Sequence, residues 1–471
     1  MQQQFWSLRR FVGTDPRTQA TWLPTRLIPI TGQKLSYNVC NMRLIKIVQM
    51  KKDCASWGMA IRIARTIALV AVMLIATLAQ AQAGDSLRSL YDQNRFFELR
   101  DAVRNQNAPP LYLGAVASAF NDSKSAEKYL GRAIRQEPGS DNAFEAHGQL
   151  ANLYARLGRN REVVQQLDQM LAIKPNSSDV QNMRPLFAAF SRYPELSVGK
   201  KHETKVSGAT VNKEWLTIPA VVHGKAVNWI VDSGANFSVI SESEAQMLGL
   251  SIGSEKAVVH DANGGSATVR TAVVDRLSIG EMEIRNVPFM VIPDSQPPMS
   301  DLPPGKRAIL GFTLLSALKA ISWTSDGIFE IGFHSGPNEN KQTNLWFDGL
   351  SPVTRVRFQD RGLDFALDTG NGAGTQLWSR FSEDYASLLK EHGMKSTRSV
   401  TQMGGLQERE IVSLLELDLQ VGGFDTVLKP AQVFAKPVGN DSRYGLLGLD
   451  LLVQAHKVRI DFRSMTISLF Q

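Results

Sequence analysis

Residues 228–241 read NWIVDSGANFSVIS, and residues 364–378 read DFALDTGNGAGTQLW. In each, an apolar run ends at an aspartate that is followed by a hydroxyl residue and a glycine. Trp229-Ile230-Val231 leads into Asp232-Ser233-Gly234, and Phe365-Ala366-Leu367 leads into Asp368-Thr369-Gly370. One such triplet is weak evidence, because chance places one in roughly every five chains of this length at average composition. Two in the same context, 136 residues apart, ask for a common origin.

The surroundings repeat as well. Ile309-Leu310-Gly311 lies 79 residues after Asp232 when counted to its glycine, and Leu446-Leu447-Gly448 lies 80 after Asp368. Between them stand two glycine tips, Asn263-Gly264-Gly265 and Met403-Gly404-Gly405. Their first glycines fall 32 and 36 residues after the respective aspartates. Each half closes with a strand pair, Ala320–Phe333 and Lys457–Phe470, and the runs between are short, β-branched and punctuated by Gly, Asn and Asp. That is the grammar of an all-β architecture, here duplicated over 205–336 and 343–471, with a helical insert near Glu383–Glu391.

With these landmarks in place, the pattern resembles the retropepsin-like aspartic proteases in their bacterial tandem form. The resemblance covers about Lys205 to Gln471. It implies two tandem acid-protease barrels forming a pseudo-dimer, with Asp232 and Asp368 as the catalytic pair and one cleft between lobes. It implies that Ser233, Gly234, Thr369 and Gly370 support the loops, the two hydroxyls cross-linking them. It also implies that Gly264, Gly265, Gly404 and Gly405 tip flaps that clamp an extended polypeptide by backbone hydrogen bonds.

The chemistry follows from residue types. Glycine after the hydroxyl residue lets backbone amides approach the carboxylate. Two carboxyls within about 3 Å cannot both ionise, so the pair keeps one proton. One then serves as base toward water and the other as acid toward the scissile carbonyl. This route calls for no metal and no cofactor. The expected activity is therefore that of an aspartic endopeptidase. The second loop departs from the pattern, with Asn371-Gly372-Ala373-Gly374 where the first has Ala235, and that bears on where Asp368 points. Two other readings stay open. One is a non-catalytic peptide-binding or assembly protein that keeps the aspartates as loop-formers, and the other has each repeat pairing with a repeat of a second chain. Asp364, at the start of its strand, reads as a solvated strand end; Asp450 and Asp461 read as helix-start and hairpin residues.

Upstream, 84–190 reads as helical. Counting back from Pro138 and Pro175 places Leu113, Gly114, Ala126, Leu130 and Ala133, then Leu150, Ala151, Tyr154, Gly158, Leu167 and Met170, at the packing positions of a tetratricopeptide unit. The segment resembles a short tetratricopeptide array and implies a protein partner; a plain helical hairpin pair is the alternative. The prolines are 37 apart, against an ideal 34, which an insertion around Gly139–Asn142 accounts for. Residues 176–203 show no sustained period and read as a linker.

The first 83 residues carry eleven Lys and Arg against two acids, a charge of +9 out of the chain's +7, so the remainder is −2. That balance offers no electrostatic reason to bind nucleic acid. Arg62 and Arg65 precede the apolar run Ile67–Ala79, and Ala79, Ala81 and Ala83 follow as small-residue sites. This is signal-peptide grammar for 59–83, with 1–58 an over-long N-terminal extension. An exported, periplasmic or secreted protein is expected, with membrane contact only if the segment stays uncleaved. Cys40 and Cys54 both lie upstream of Ala83, which leaves the expected mature chain without disulfides or thiol chemistry.

Overall fold

The computed structural model describes residues 86–104, 107–260, 266–333, 342–402, 405–436 and 442–471, and from Leu90 onward these belong to one compact unit. The proposed signal segment and its extension lie outside the described residues. No helix among the described residues is long and apolar enough to cross a membrane.

After a helical stretch over 86–92 come six helices: α1 (Phe96–Arg104), α2 (Pro110–Ala119), α3 (Ser123–Gln136), α4 (Asp141–Arg156), α5 (Asn160–Ile173) and α6 (Ser178–Phe190). Their ends follow local chemistry. Pro110 opens α2, where its missing N–H costs nothing, and the Asp122 and Ser140 side chains accept the amides of Ser125 and Ala143 at the starts of α3 and α4. Gly114 allows α2 and α3 to touch, since a Cβ there would sit 2.6 Å from Leu130 Cγ. The expected insertion at Gly139–Asn142 runs into the start of α4, the longest of the six at 16 residues. Of the two overlapping readings of 176–190, the helical one holds: 178–190 is helix α6 despite Pro185 inside it, and beyond it Ser197–Val198, read as linker, pairs with Arg285 and Ile284. Packing of Val180, Met183, Leu186, Phe187 and Phe190 into the main core outweighs the poor local pattern.

Two β lobes follow. In the first, β1 (Lys225–Val231) ends at Asp232, and β2 (Ser238–Ser241) follows the loop. A hairpin of β3 (Ala257–His260) and β4 (Ser266–Ile279) comes next, then β5 (Ala308–Leu310) and helix α7 (Phe312–Ala317). The second lobe repeats the order. It has β6 (Arg361–Leu367) before Asp368, β7 (Gln376–Leu377), the hairpin β8 (Met394–Gln402) and β9 (Gly405–Leu414), then β10 (Gly445–Leu447) and α8 (Leu449–Leu452). A nine-stranded sheet forms the first lobe and a ten-stranded sheet the second.

A third sheet joins them. Ala320–Thr324 pairs antiparallel with Lys457–Asp461, flanked on one side by Ile328–Ile331 and Thr204–Ser207 and on the other by Thr466–Phe470. The closing hairpins of both repeats, together with Thr204–Ser207, are therefore one five-stranded sheet of a single chain. The helices close over this assembly. Phe96 stacks on Trp346 at 4.6 Å, Phe312 packs edge-on against Phe347 and Phe462, and one apolar cluster runs from Phe144 through both lobes.

Candidate active site

The two aspartate loops are built alike. The amide of Asp232 donates to Leu310 O at 3.0 Å and that of Asp368 to Leu447 O at 3.0 Å, because β5 and β10 run parallel beside β1 and β6. Gly311 and Gly448 then let the following helix start hard against the loop. A Cβ on Gly311 would lie 2.3 Å from the Phe237 carbonyl, and one on Gly448 would lie 2.9 Å from Gly374 C. Ser238 Oγ accepts the Gly311 amide at 3.1 Å, and Thr375 Oγ1 accepts the Gly448 amide at 3.0 Å.

Ser233 and Thr369 cross-link the loops. The Ser233 amide donates to Thr369 Oγ1 at 3.0 Å, and the Thr369 amide donates to Ser233 Oγ at 3.1 Å. Each hydroxyl then donates onward to a carbonyl of the opposite strand, Leu367 O and Val231 O, both at 2.9 Å. Across this clamp, each glycine faces the other loop's carboxyl. A Cβ on Gly234 would sit 2.4 Å from Asp368 Cγ, and one on Gly370 would sit 2.2 Å from Asp232 Cγ. One chain thus brings both carboxyls together, and no second copy is needed to complete the pair.

Both carboxyls are buried, Asp232 at 4% exposure and Asp368 at 1%, and they hydrogen-bond to one another. That contact needs a retained proton. The two are not equivalent. Asp232 Oδ1 accepts the amides of Gly234 at 2.7 Å and Ala235 at 3.1 Å. Asp368 Oδ1 accepts only that of Gly370, at 3.0 Å, and its Oδ2 is buried without an N–H or hydroxyl donor among the described residues. Burial raises Asp232 above the usual carboxyl value while the Asp368 contact and the two amides pull back. Burial and the neighbouring Asp232 raise Asp368 well above it. As the carboxyl with fewer donors, Asp368 holds the shared proton.

The longer second loop differs by one residue. Ser238 comes six after Asp232 and its counterpart Thr375 seven after Asp368, which also accounts for the glycine offsets of 79 and 80. The insertion is absorbed downstream of Gly370. Asn371 Nδ2 donates to Gly374 O at 2.7 Å, its Oδ1 accepts the Ala373 amide at 3.1 Å, and Gly374 takes a φ of +87° that suits glycine. Asp450, read from sequence as a helix-start residue, holds this loop: its Oδ1 accepts the Thr375 amide at 2.8 Å and hydroxyl at 2.7 Å. Arg398 of β8 caps it, donating to Ala373 O at 3.0 Å, with its pKa lowered by burial. Neither role was visible from spacing alone.

Asp364 corrects an expectation. It is a buried residue inside β6, not a solvated end, and pairs with Arg355 at 2.8 Å; burial raises its pKa against the Arg355 charge. Of the flap residues, Gly264, Gly265 and Gly404 lie outside the described residues. Gly405 begins β9 opposite Gln402, and His260 pairs with Ser266 in the other hairpin.

Residues 218–314, spanning the Asp232 loop, the first hairpin and Gly311, match the family model described as aspartyl protease. Residues 117–184 match the tetratricopeptide repeat model. No curated protein matches the chain. Among solved structures, a retropepsin-like aspartic protease from Rickettsia conorii aligns at 19% identity and a TM-score of 0.21, over 30% of this chain and 95% of that one. The first lobe thus matches an aspartyl-protease domain and the preceding helices a tetratricopeptide repeat, and the second lobe repeats the first lobe's order of strand, aspartate loop, hairpin and helix in the same chain.

Proposed function

We propose that the protein is an exported aspartic endopeptidase that hydrolyses peptide bonds with water activated between Asp232 and Asp368. The observation that carries this reading is the crossed packing of the loops, in which each triplet's glycine faces the other triplet's carboxyl. Asp232, held by two amides, is the base: it takes a proton from water as the water oxygen bonds to the scissile carbonyl carbon. Asp368, holding the shared proton, gives it to the carbonyl oxygen. Collapse of the resulting diol breaks the C–N bond as Asp232 passes the proton it took to the leaving amine and Asp368 takes one back from a diol hydroxyl. The substrate is an extended polypeptide, since hairpins β3–β4 and β8–β9 offer backbone groups to a strand laid between them. Export rests on the 59–83 segment, and N-terminal sequencing of the secreted protein should find residue 84 first.

The test is turnover of a broad peptide library. Wild type should cut it in a pepstatin-sensitive way, and Asp232→Asn should lose cleavage while keeping its circular dichroism spectrum. Cleavage retained by Asp232→Asn refutes the assignment. Peptide capture by wild type without turnover would instead establish the non-catalytic reading.

A further inference from the structure

We infer that the helical region supports this cleft from behind: α6, through Phe187 and Phe190, positions the Asp232 loop and fastens the hairpin β3–β4. The inference rests on the proteolytic reading for its effect on rate, but not for its structural content.

Phe237 lies in the Asp232 loop, two residues beyond Ala235, whose amide holds the Asp232 carboxyl. Its ring is buried against α6, with centroids 5.5 Å from Phe187 at 69° and 6.3 Å from Phe190 at 36°. Its carbonyl is the group that Gly311 abuts, and the next residue, Ser238, accepts the Gly311 amide. Interiors are close-packed, so a Phe237 ring that loses its support cannot shift alone. Movement there reaches the amides of Gly234 and Ala235.

The same helix holds the hairpin. Val180, Met183 and Leu186 share a buried cluster with Ala257, Val259, Ala267 and Val269, the inward residues of β3 and β4, and α6 packs on both strands. The surface pair Arg192–Glu255, at 2.6 Å, joins the end of α6 to the approach of β3 but is largely exposed and adds little. The second lobe is arranged otherwise. At the place of Phe237 its loop has only Gly372, Ala373 and Gly374, held by Asp450 and Arg398 from its own lobe, and among the described residues α1–α6 make no comparable packing on β8 or β9. Phe187, Phe190 and Phe237 are thus positioning residues for one carboxyl and one hairpin only.

Hydrogen exchange on the full chain tests this without needing activity. In Phe187→Ala, exchange should quicken at least about tenfold over 232–238, 257–260 and 266–269 and stay at the wild-type rate over 368–377 and 394–402. Unchanged protection in the first set, or equal loosening of both lobes, overturns the inference. Should Phe187→Ala fail to fold, Phe187→Leu is read the same way: a smaller rise confined to the first set supports it, and wild-type protection throughout overturns it. If wild type cuts peptides, kcat of the loosened variant should fall about tenfold with KM within about threefold, and Phe187→Leu should recover most of it. An unchanged kcat in a loosened variant refutes the positioning role. If wild type cuts nothing, the proposed function falls, and the exchange pattern still decides whether α6 holds loop and hairpin.

Discussion

Asp232 and Asp368 sit in equivalent turns, yet the first receives two amides and the second one. Burial and the neighbouring Asp232 raise Asp368 well above the usual carboxyl value, while the Asp368 contact and two amides pull Asp232 back. In the folded protein Asp368 binds its proton more tightly than in the unfolded chain. Its contribution to stability is therefore complete below the unfolded carboxyl value of about 3.9 and is lost as pH rises through the raised folded value. Asp368→Asn escapes that loss. It should melt a few degrees above wild type near neutrality, with the gap closing as pH falls toward about 4, in melts recorded across pH. The clamp gives a second expectation. Thr369→Val removes the acceptor of the Ser233 amide and the donor to Val231 O, both buried, and should cost about 2–4 kcal/mol in urea unfolding. Thr369→Ser, which keeps both bonds, should cost under about 1 kcal/mol.

At the scale of elements, the strand, loop, hairpin and helix of each lobe were legible because each is marked by local chemistry. An apolar run ends at a turn that needs glycine, and a later apolar-apolar-glycine segment needs the same absence of a Cβ. The departure of the second loop at Asn371–Gly374 could be read too, though not that it adds one residue. What absorbs it could not. Asp450 reaches Thr375 across 75 residues, and Arg398 reaches Ala373 from the hairpin. Asp450→Ala should lower stability by about 1–3 kcal/mol and kcat about tenfold, because the loop after Asp368 loses two hydrogen bonds and its aim. Steady-state kinetics beside urea melts check this; a stability loss at full kcat would show that Asp450 does not aim Asp368.

Over the whole molecule, the closing hairpins of both lobes share one sheet, and the helices span the two lobes. The expected linker at 176–203 is instead a helix and a short paired strand, so the repeats are fixed against the protease domain. One joint can be tested directly. Arg355, over the Phe97 ring at 4.1 Å, bridges Glu98 of α1 at 3.2 Å and the buried Asp364 at 2.8 Å. Arg355→Ala leaves Asp364 buried without its cation and should cost about 3–5 kcal/mol near neutrality. The loss should shrink in acid, where Asp364 takes up a proton, and thermal melts at two pH values measure both effects.

The hydroxyl clamp was expected only from the family resemblance; the amino-acid sequence by itself determined the strand-and-turn plan of each lobe, the two aspartate triplets and the helical repeats. Each of these is written in residues close together in the chain, where turn geometry and periodicity act. Tertiary structure alone decided that Asp364 is buried beside Arg355, that Asp450 anchors the second loop, and that Phe187 and Phe190 cover Phe237. Periodicity reports which face of its own element a residue occupies, but the surface that covers that face can come from far away, as Glu98 does to Arg355 from 257 positions.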